Sequence, residues 1–93
     1  MSEPGDRYRL VLARSAAQTL TKSLPEKVAT AVYEIVTGPL LENPRRVGKP
    51  LEPPLAPAYS ARRGTYRVLY LINDTNGTVE VTAISHRADA FHM

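Results

Sequence analysis

Two groups of side chains in this sequence have the types and spacing to act on a polyanion. Residues 45–67 carry Arg45, Arg46, Lys49, Arg62, Arg63 and Arg67 against Glu52 alone, six basic groups to one acidic. Residues 1–44 are balanced, with five basic side chains (Arg7, Arg9, Arg14, Lys22, Lys27) and five acidic ones (Glu3, Asp6, Glu26, Glu34, Glu42), so they add nothing to the formal charge of +3. A concentrated excess of this kind makes a positive potential that attracts polyanions and speeds encounter with them. Arginine adds geometry to charge: its planar fork bonds phosphate oxygens in pairs and keeps its proton near neutral pH. The alternative reading of the same run is a solvated surface. The second group lies near the C-terminus, where His86 and His92 flank Arg87. An imidazole titrates close to neutral pH and could move a proton, although on a strand His86 and Arg87 point to opposite faces.

Composition narrows the chemistry further. The chain has no cysteine, which removes a disulfide framework, a zinc-thiolate site and a thiol nucleophile together. Apolar residues make up 43% and charged residues 23%, ordinary globular usage. Apolar runs such as 68–72 fall far short of the roughly 18–20 residues that span a bilayer. The first six residues have no basic region followed by an apolar core, so a cytoplasmic protein is expected, with no membrane partner. At 93 residues one domain, 1–93, is expected, since domains run to about 50–200 residues.

The elements that must position these cations can be read from periodicity. Residues 8–12 are rich in strand formers and follow a Pro-Gly-Asp breaker, which predicts a first short strand. Ala13, Ala16, Ala17, Leu20 and Leu24 then recur at helical spacing. Ser23 and Glu26 form a Ser-x-x-Glu pattern that predicts the capped start of a second helix, continued by Val28, Ala31, Val32, Ile35 and Val36 and stopped at Gly38-Pro39. Six of the eight prolines fall between Pro39 and Pro57, which predicts an ordered loop, neither helix nor central strand, pinned by Leu40, Leu41, Val47, Leu51 and Leu55. Strands are expected at 59–63, 66–73 and 78–85, the last two joined by an Asp74-Thr75-Asn76-Gly77 turn. Those turns are too short for parallel crossovers, so the class is α+β. The order β-α-α-β-β-β puts two helices on one face of a mostly antiparallel sheet of about four strands. The other face is left open for a ligand.

Three blocks occur in order along this frame: Glu42-Asn43-Pro44-Arg45-Arg46 with Gly48-Lys49-Pro50-Leu51, then 59–70 (Tyr-Ser-Ala-Arg-Arg-Gly-Thr-Tyr-Arg-Val-Leu-Tyr), then 85–91 (Ser-His-Arg-Ala-Asp-Ala-Phe). From Tyr8 to Phe91 the chain resembles the RelE/ParE superfamily of bacterial type II toxins. The resemblance implies a RelE-like fold, a cognate antitoxin that masks the toxin, and contact with DNA only through that complex. In the RelE branch it implies a cofactor-free, metal-free endoribonuclease that cleaves messenger RNA on the ribosome and inhibits translation. In the ParE branch the same fold inhibits DNA gyrase. A catalytically weakened RNA-binding relative is a third reading.

Carried over from the RelE branch, Arg62 and Arg87 are phosphate or transition-state contacts. Lys49 is a candidate for phosphate binding or proton transfer. Arg45, Arg46 and Arg63 are read as electrostatic footing for RNA, Phe91 as a stacking surface, and His86 and His92 as candidates for proton transfer. Arg67 reads as structural within its strand. The plain alternatives are an ion pair of Arg87 with Asp89 or Asp74, a rim charge for Arg62 and loop solvation for Lys49. Two positions depart from the branch: Phe91 stands where a tyrosine is common, and Ser60 where many relatives carry a further basic residue.

Overall fold

A computed structural model describes residues 7–86. Its elements run β1 (Arg9–Leu12), α1 (Arg14–Gln18), one π-helical turn (Thr19–Ser23), α2 (Glu26–Thr37), α3 (Pro39–Glu42), α4 (Pro44–Val47), β2 (Lys49–Pro50), β3 (Tyr59–Arg63), β4 (Tyr66–Asn73) and β5 (Thr78–His86). Within the described residues the strands form a five-stranded sheet in the order β1-β5-β4-β3-β2. β1 runs parallel to β5 and the other pairs are antiparallel. The expected α+β architecture is therefore present, with one more strand than the four anticipated.

That extra strand and the two short helices lie in the segment expected to be an ordered loop. Pro39 and Pro44 each sit in the first turn of a helix, α3 and α4, where a missing amide costs no intrahelical bond. The prolines of this segment thus start helices as well as break them. Leu40 and Leu41 are buried and Val47 packs against the core, as their apolar character requires. Beyond α4 the chain turns at Gly48 and pairs Lys49 with Ser60 and Pro50 with Tyr59, making β2 an edge strand where a proline is tolerated.

The first helix is also shorter than its spacing suggests. After α1 the chain widens into the π turn, closed by a bond from the Leu24 amide to the Thr19 carbonyl (3.2 Å). The Ser23 cap does not form: α2 starts at Glu26 behind Pro25, with no side-chain bond at its N-terminus. Pro25 is the reason. Its ring forces the preceding Leu24 into extended geometry (φ −90°, ψ 144°), which carries the helix start past Ser23.

The core lies between the helices and one face of the sheet. Ala16, Leu20, Val32, Val36, Leu40 and Leu41 meet Ala61, Val68, Tyr70, Val79, Val81 and Ile84. A register shift opposite Leu69 and Tyr70 leaves Thr82 as an extra residue in β5, because Leu69 pairs with Ala83 and Tyr70 with Val81. This bulge changes which residues of β5 face the helices. Val79 and Val81 face them before it, Ile84 and His86 after it, and Ser85 is turned to the open face opposite Arg67.

Candidate functional site

The open face is built by the alternation of β3 and β4. Ala61 and Val68 pair on the helix side, so Ser60 and Arg62 on β3 and Arg67 and Leu69 on β4 project from the other. Gly64 and Thr65 form the two-residue loop between the strands, with Gly64 at φ +62°, the requirement of a type II′ turn at its first central position. That loop fixes the register, and the register sets Arg62 directly opposite Arg67. β2 then delivers Lys49 opposite Ser60 on the same face.

These residues line one cavity of about 310 Å³, whose walls are Val47, Gly48, Lys49, Ser60, Arg62 and Arg67. Three cations and a hydroxyl converge there, and no carboxylate among the described residues lines it. Like charges facing across a ladder are unfavourable by themselves, so the arrangement is suited to an anion that accepts from both guanidinium forks. Among the described residues no group of three His, Asp or Glu is placed to hold a metal ion.

The loop entering this site is anchored from below. Tyr70, fully buried, donates from its hydroxyl to the Pro44 carbonyl oxygen at 2.6 Å. Its pKa is pushed up to about 12, mainly by burial, with the neighbouring Gly48 backbone pulling the other way. Gly48 is packed so closely that a Cβ there would collide with the Tyr70 hydroxyl and come within 2.7 Å of the Ser60 carbonyl oxygen. No other residue type fits this approach.

α4 is also tied down from outside. Arg45 makes a bidentate pair with Asp74, Nη1 to Oδ1 at 3.2 Å and Nη2 to Oδ2 at 2.7 Å. The Tyr8 hydroxyl donates to the same Oδ1 at 2.5 Å. The Arg45 fork, and then the Tyr8 hydroxyl, hold the Asp74 carboxyl below its ordinary range. This cluster joins the start of the chain, α4 and the β4–β5 turn.

The anticipated residues therefore divide. Lys49 and Arg62 share the cavity, while Arg45 is engaged by Asp74 and Arg46 is exposed on α4. Arg63 lies on the other side of the sheet, where it lines a cleft of about 500 Å³ with Lys27, Val28, Ala31 and Tyr66. His86 is on that side too, edge-on to Tyr66 with ring centroids 5.0 Å apart. Arg87, Phe91 and His92 lie outside the described residues. Arg67, read from the sequence as structural, is the residue the cavity adds. Its signal was available in the Gly64-Thr65 loop, since a two-residue turn dictates which arginine faces which.

A family model described as "ParE toxin of type II toxin-antitoxin system, parDE" matches residues 9–91. The chain is 46% identical over 86 residues to Toxin RelE of Mycobacterium tuberculosis, spanning 92% of this chain and 88% of that protein. It is 45% identical over 84 residues to Toxin RelG of the same organism, spanning 90% and 95%. Among solved structures, the toxin-antitoxin complex RelBE2 from M. tuberculosis matches with a TM-score of 0.81 at 44% identity, covering 87% of this chain and 99% of that one. The isolated E. coli RelE toxin shares the fold at 23% identity, with a TM-score of 0.71 over 85% of this chain and 83% of that one.

Proposed function

Since this chain belongs to the RelE/ParE family and is a toxin of a type II toxin-antitoxin system, we propose that it is a ribosome-dependent endoribonuclease that cleaves messenger RNA and thereby stops translation. The observation that supports this most is the pairing of Arg62 with Arg67 on the open face, with Lys49 brought beside them by β2. Cleavage without a metal proceeds by attack of a ribose 2′-oxygen on the adjacent phosphorus. The bond to the 5′-oxygen breaks, a 2′,3′-cyclic phosphate forms, one proton leaves the 2′-oxygen and one reaches the 5′-oxygen. Negative charge gathers on the non-bridging oxygens as this happens, and two guanidinium forks fixed opposite one another are placed to meet it. Lys49 stands at the same wall to carry a proton or neutralise the leaving oxygen.

Arg87, which follows β5 directly in the chain, is assigned as a further phosphate contact and Phe91 as a stacking surface for a base. Arg46 supplies electrostatic footing. Arg45, paired with Asp74, is left with a structural role, and Arg63 and His86 face away from the cavity. His92 is retained as a proton carrier. The cavity accommodates a phosphate and its sugar, not a strand, which suits an enzyme whose substrate is held by the ribosome. A cognate antitoxin is the protein partner, as in the RelBE2 and E. coli RelBE toxin-antitoxin complexes that share this fold.

Gyrase inhibition is the second reading. It draws on the ParE description of the matching family model and on Ser60, which places a hydroxyl in the cavity where a further cation would strengthen RNA cleavage. Two assays separate the readings. In a cell-free translation reaction, primer extension on the message is expected to show new ends at toxin concentrations that stop synthesis, while DNA gyrase supercoiling continues undisturbed. Inhibited supercoiling with an intact message would replace the endoribonuclease by the gyrase inhibitor.

A further inference from the structure

The geometry points to Tyr70 as a positioning residue for Lys49: its buried hydroxyl clamps the Pro44–Gly48 turn so that β2 presents the lysine to the Arg62–Arg67 pair. The inference rests on the endoribonuclease reading for its catalytic consequence and on the structure alone for the clamp.

Lys49 sits on a strand of two residues, Lys49–Pro50, too short to define its own position. Its register depends on what precedes it. α4 is a single turn, Pro44–Val47, with no side-chain cap at its start, and it ends at Gly48 in extended geometry (φ −118°, ψ −171°). The Tyr70 hydroxyl reaches this turn from the core, 2.6 Å from the Pro44 carbonyl oxygen. The space around that hydroxyl is filled from the other side by Gly48, where even a Cβ would collide with it. Tyr70 is held rigidly in turn. It lies in β4 opposite Val81, stacks on Tyr59 with centroids 5.7 Å apart, and is fully buried. The bond therefore runs from a buried residue of β4 to the helical turn that leads directly into the strand carrying Lys49.

Loss of the hydroxyl leaves the Pro44 carbonyl without its buried partner and frees the turn. Displacement of a reacting group by about 1 Å can cost on the order of a hundredfold in rate. Tyr70→Phe is expected to lower the single-turnover cleavage rate on programmed ribosomes about ten- to a hundredfold, with little change in the concentration giving half-saturation. The decisive comparison is with the lysine removed. In a Lys49→Ala background Tyr70→Phe is expected to have almost no further effect, whereas in an Arg62→Ala background its effect persists. A merely structural role would reduce activity equally in all backgrounds, and that result would overturn the positioning role. Gly48→Ala attacks the same contact from the loop side and is expected to show the same dependence on Lys49.

Amide hydrogen exchange decides the clamp without any ribosome. In the full-length toxin, Tyr70→Phe is expected to speed exchange at Arg45–Lys49 while β4 and β5 keep their protection. Unchanged exchange there, or a loss of protection throughout the sheet, would overturn the clamp. If the parent protein fails to cleave, the endoribonuclease reading falls, and the exchange result still stands or falls by itself.

Discussion

Arg62 and Arg67 face each other across the β3–β4 ladder on the same side of the sheet, two guanidinium groups that line one cavity with Lys49, and no carboxylate among the described residues lines it. A like-charge pair of this kind costs stability, by up to about 1 kcal/mol for directly opposed residues. Replacing Arg62 by alanine is therefore expected to leave the thermal midpoint unchanged or slightly raised. Millimolar pyrophosphate should raise the midpoint of the parent by selective binding to the folded state, and raise it less in Arg62→Ala or Arg67→Ala. Differential scanning fluorimetry checks both expectations.

The faces of the hairpin predict which cations RNA binding uses. For single strands each neutralised phosphate contributes about 0.7 to the slope of log affinity against log salt. Arg62→Ala, Arg67→Ala and Lys49→Ala should each flatten the slope by about that amount. Arg63→Ala, on the helix side beside Lys27 and Tyr66, should leave it unchanged. Anisotropy titrations of a labelled oligonucleotide at several salt concentrations read this directly.

The Tyr8–Asp74–Arg45 cluster predicts a dependence on acid. The carboxyl of Asp74 titrates lower in the folded protein than in the unfolded chain. Its stabilisation is therefore complete above the ordinary carboxylate range and is lost as the pH falls through the lowered folded value. Asp74 and Arg45 are 59% and 50% exposed, so the effect is modest and screened by salt. Urea midpoints measured through the acid limb should fall less steeply for Asp74→Asn than for the parent. Tyr70 acts at the other end of the scale. Its folded pKa is raised to about 12, so its contribution is present below the ordinary tyrosine value and is lost as the pH rises towards 12.

Leu40, a fully buried residue of α3, predicts the largest loss from the segment rich in proline. Leu40→Ala should cost about 2–5 kcal/mol in denaturant unfolding. Gly77→Ala tests the β4–β5 turn, where φ is +69° and a Cβ would meet open space. The cost there is backbone strain alone, about 1–2 kcal/mol.

Much of this arrangement can be read in the residues themselves, and the parts that cannot share a cause. β4 and β5 follow from β-branched and aromatic residues around an Asx-Gly turn, and α2 from its apolar stripe. Lys49 and Arg62 are marked by the resemblance of their blocks to the family, and the sheet brings the two to one cavity. α3, α4 and β2 escape because proline is ambiguous: at the first turn of a helix or on an edge strand it is tolerated, while elsewhere in a helix it is destructive. The Ser23 cap misleads because its pattern is local, whereas Pro25 overrides it through the residue before. Arg67 escapes a reading of its strand alone because its place depends on pairing with Arg62, which is legible only through the length of the Gly64-Thr65 loop. His86 and Arg63 are assigned to the far side by the bulge at Thr82 and by the Gly64-Thr65 register, neither of which composition reveals.

The most direct measurement of the central claim is the chemistry of the ends produced on a ribosome-bound message. A 2′,3′-cyclic phosphate is expected on the upstream fragment and a 5′-hydroxyl on the downstream one. Both are expected to be lost in Arg62→Ala and when the scissile nucleotide carries a 2′-deoxyribose. A 3′-hydroxyl with a 5′-phosphate, or cleavage that survives the deoxy substitution, would contradict attack by the 2′-oxygen at the Lys49–Arg62–Arg67 site.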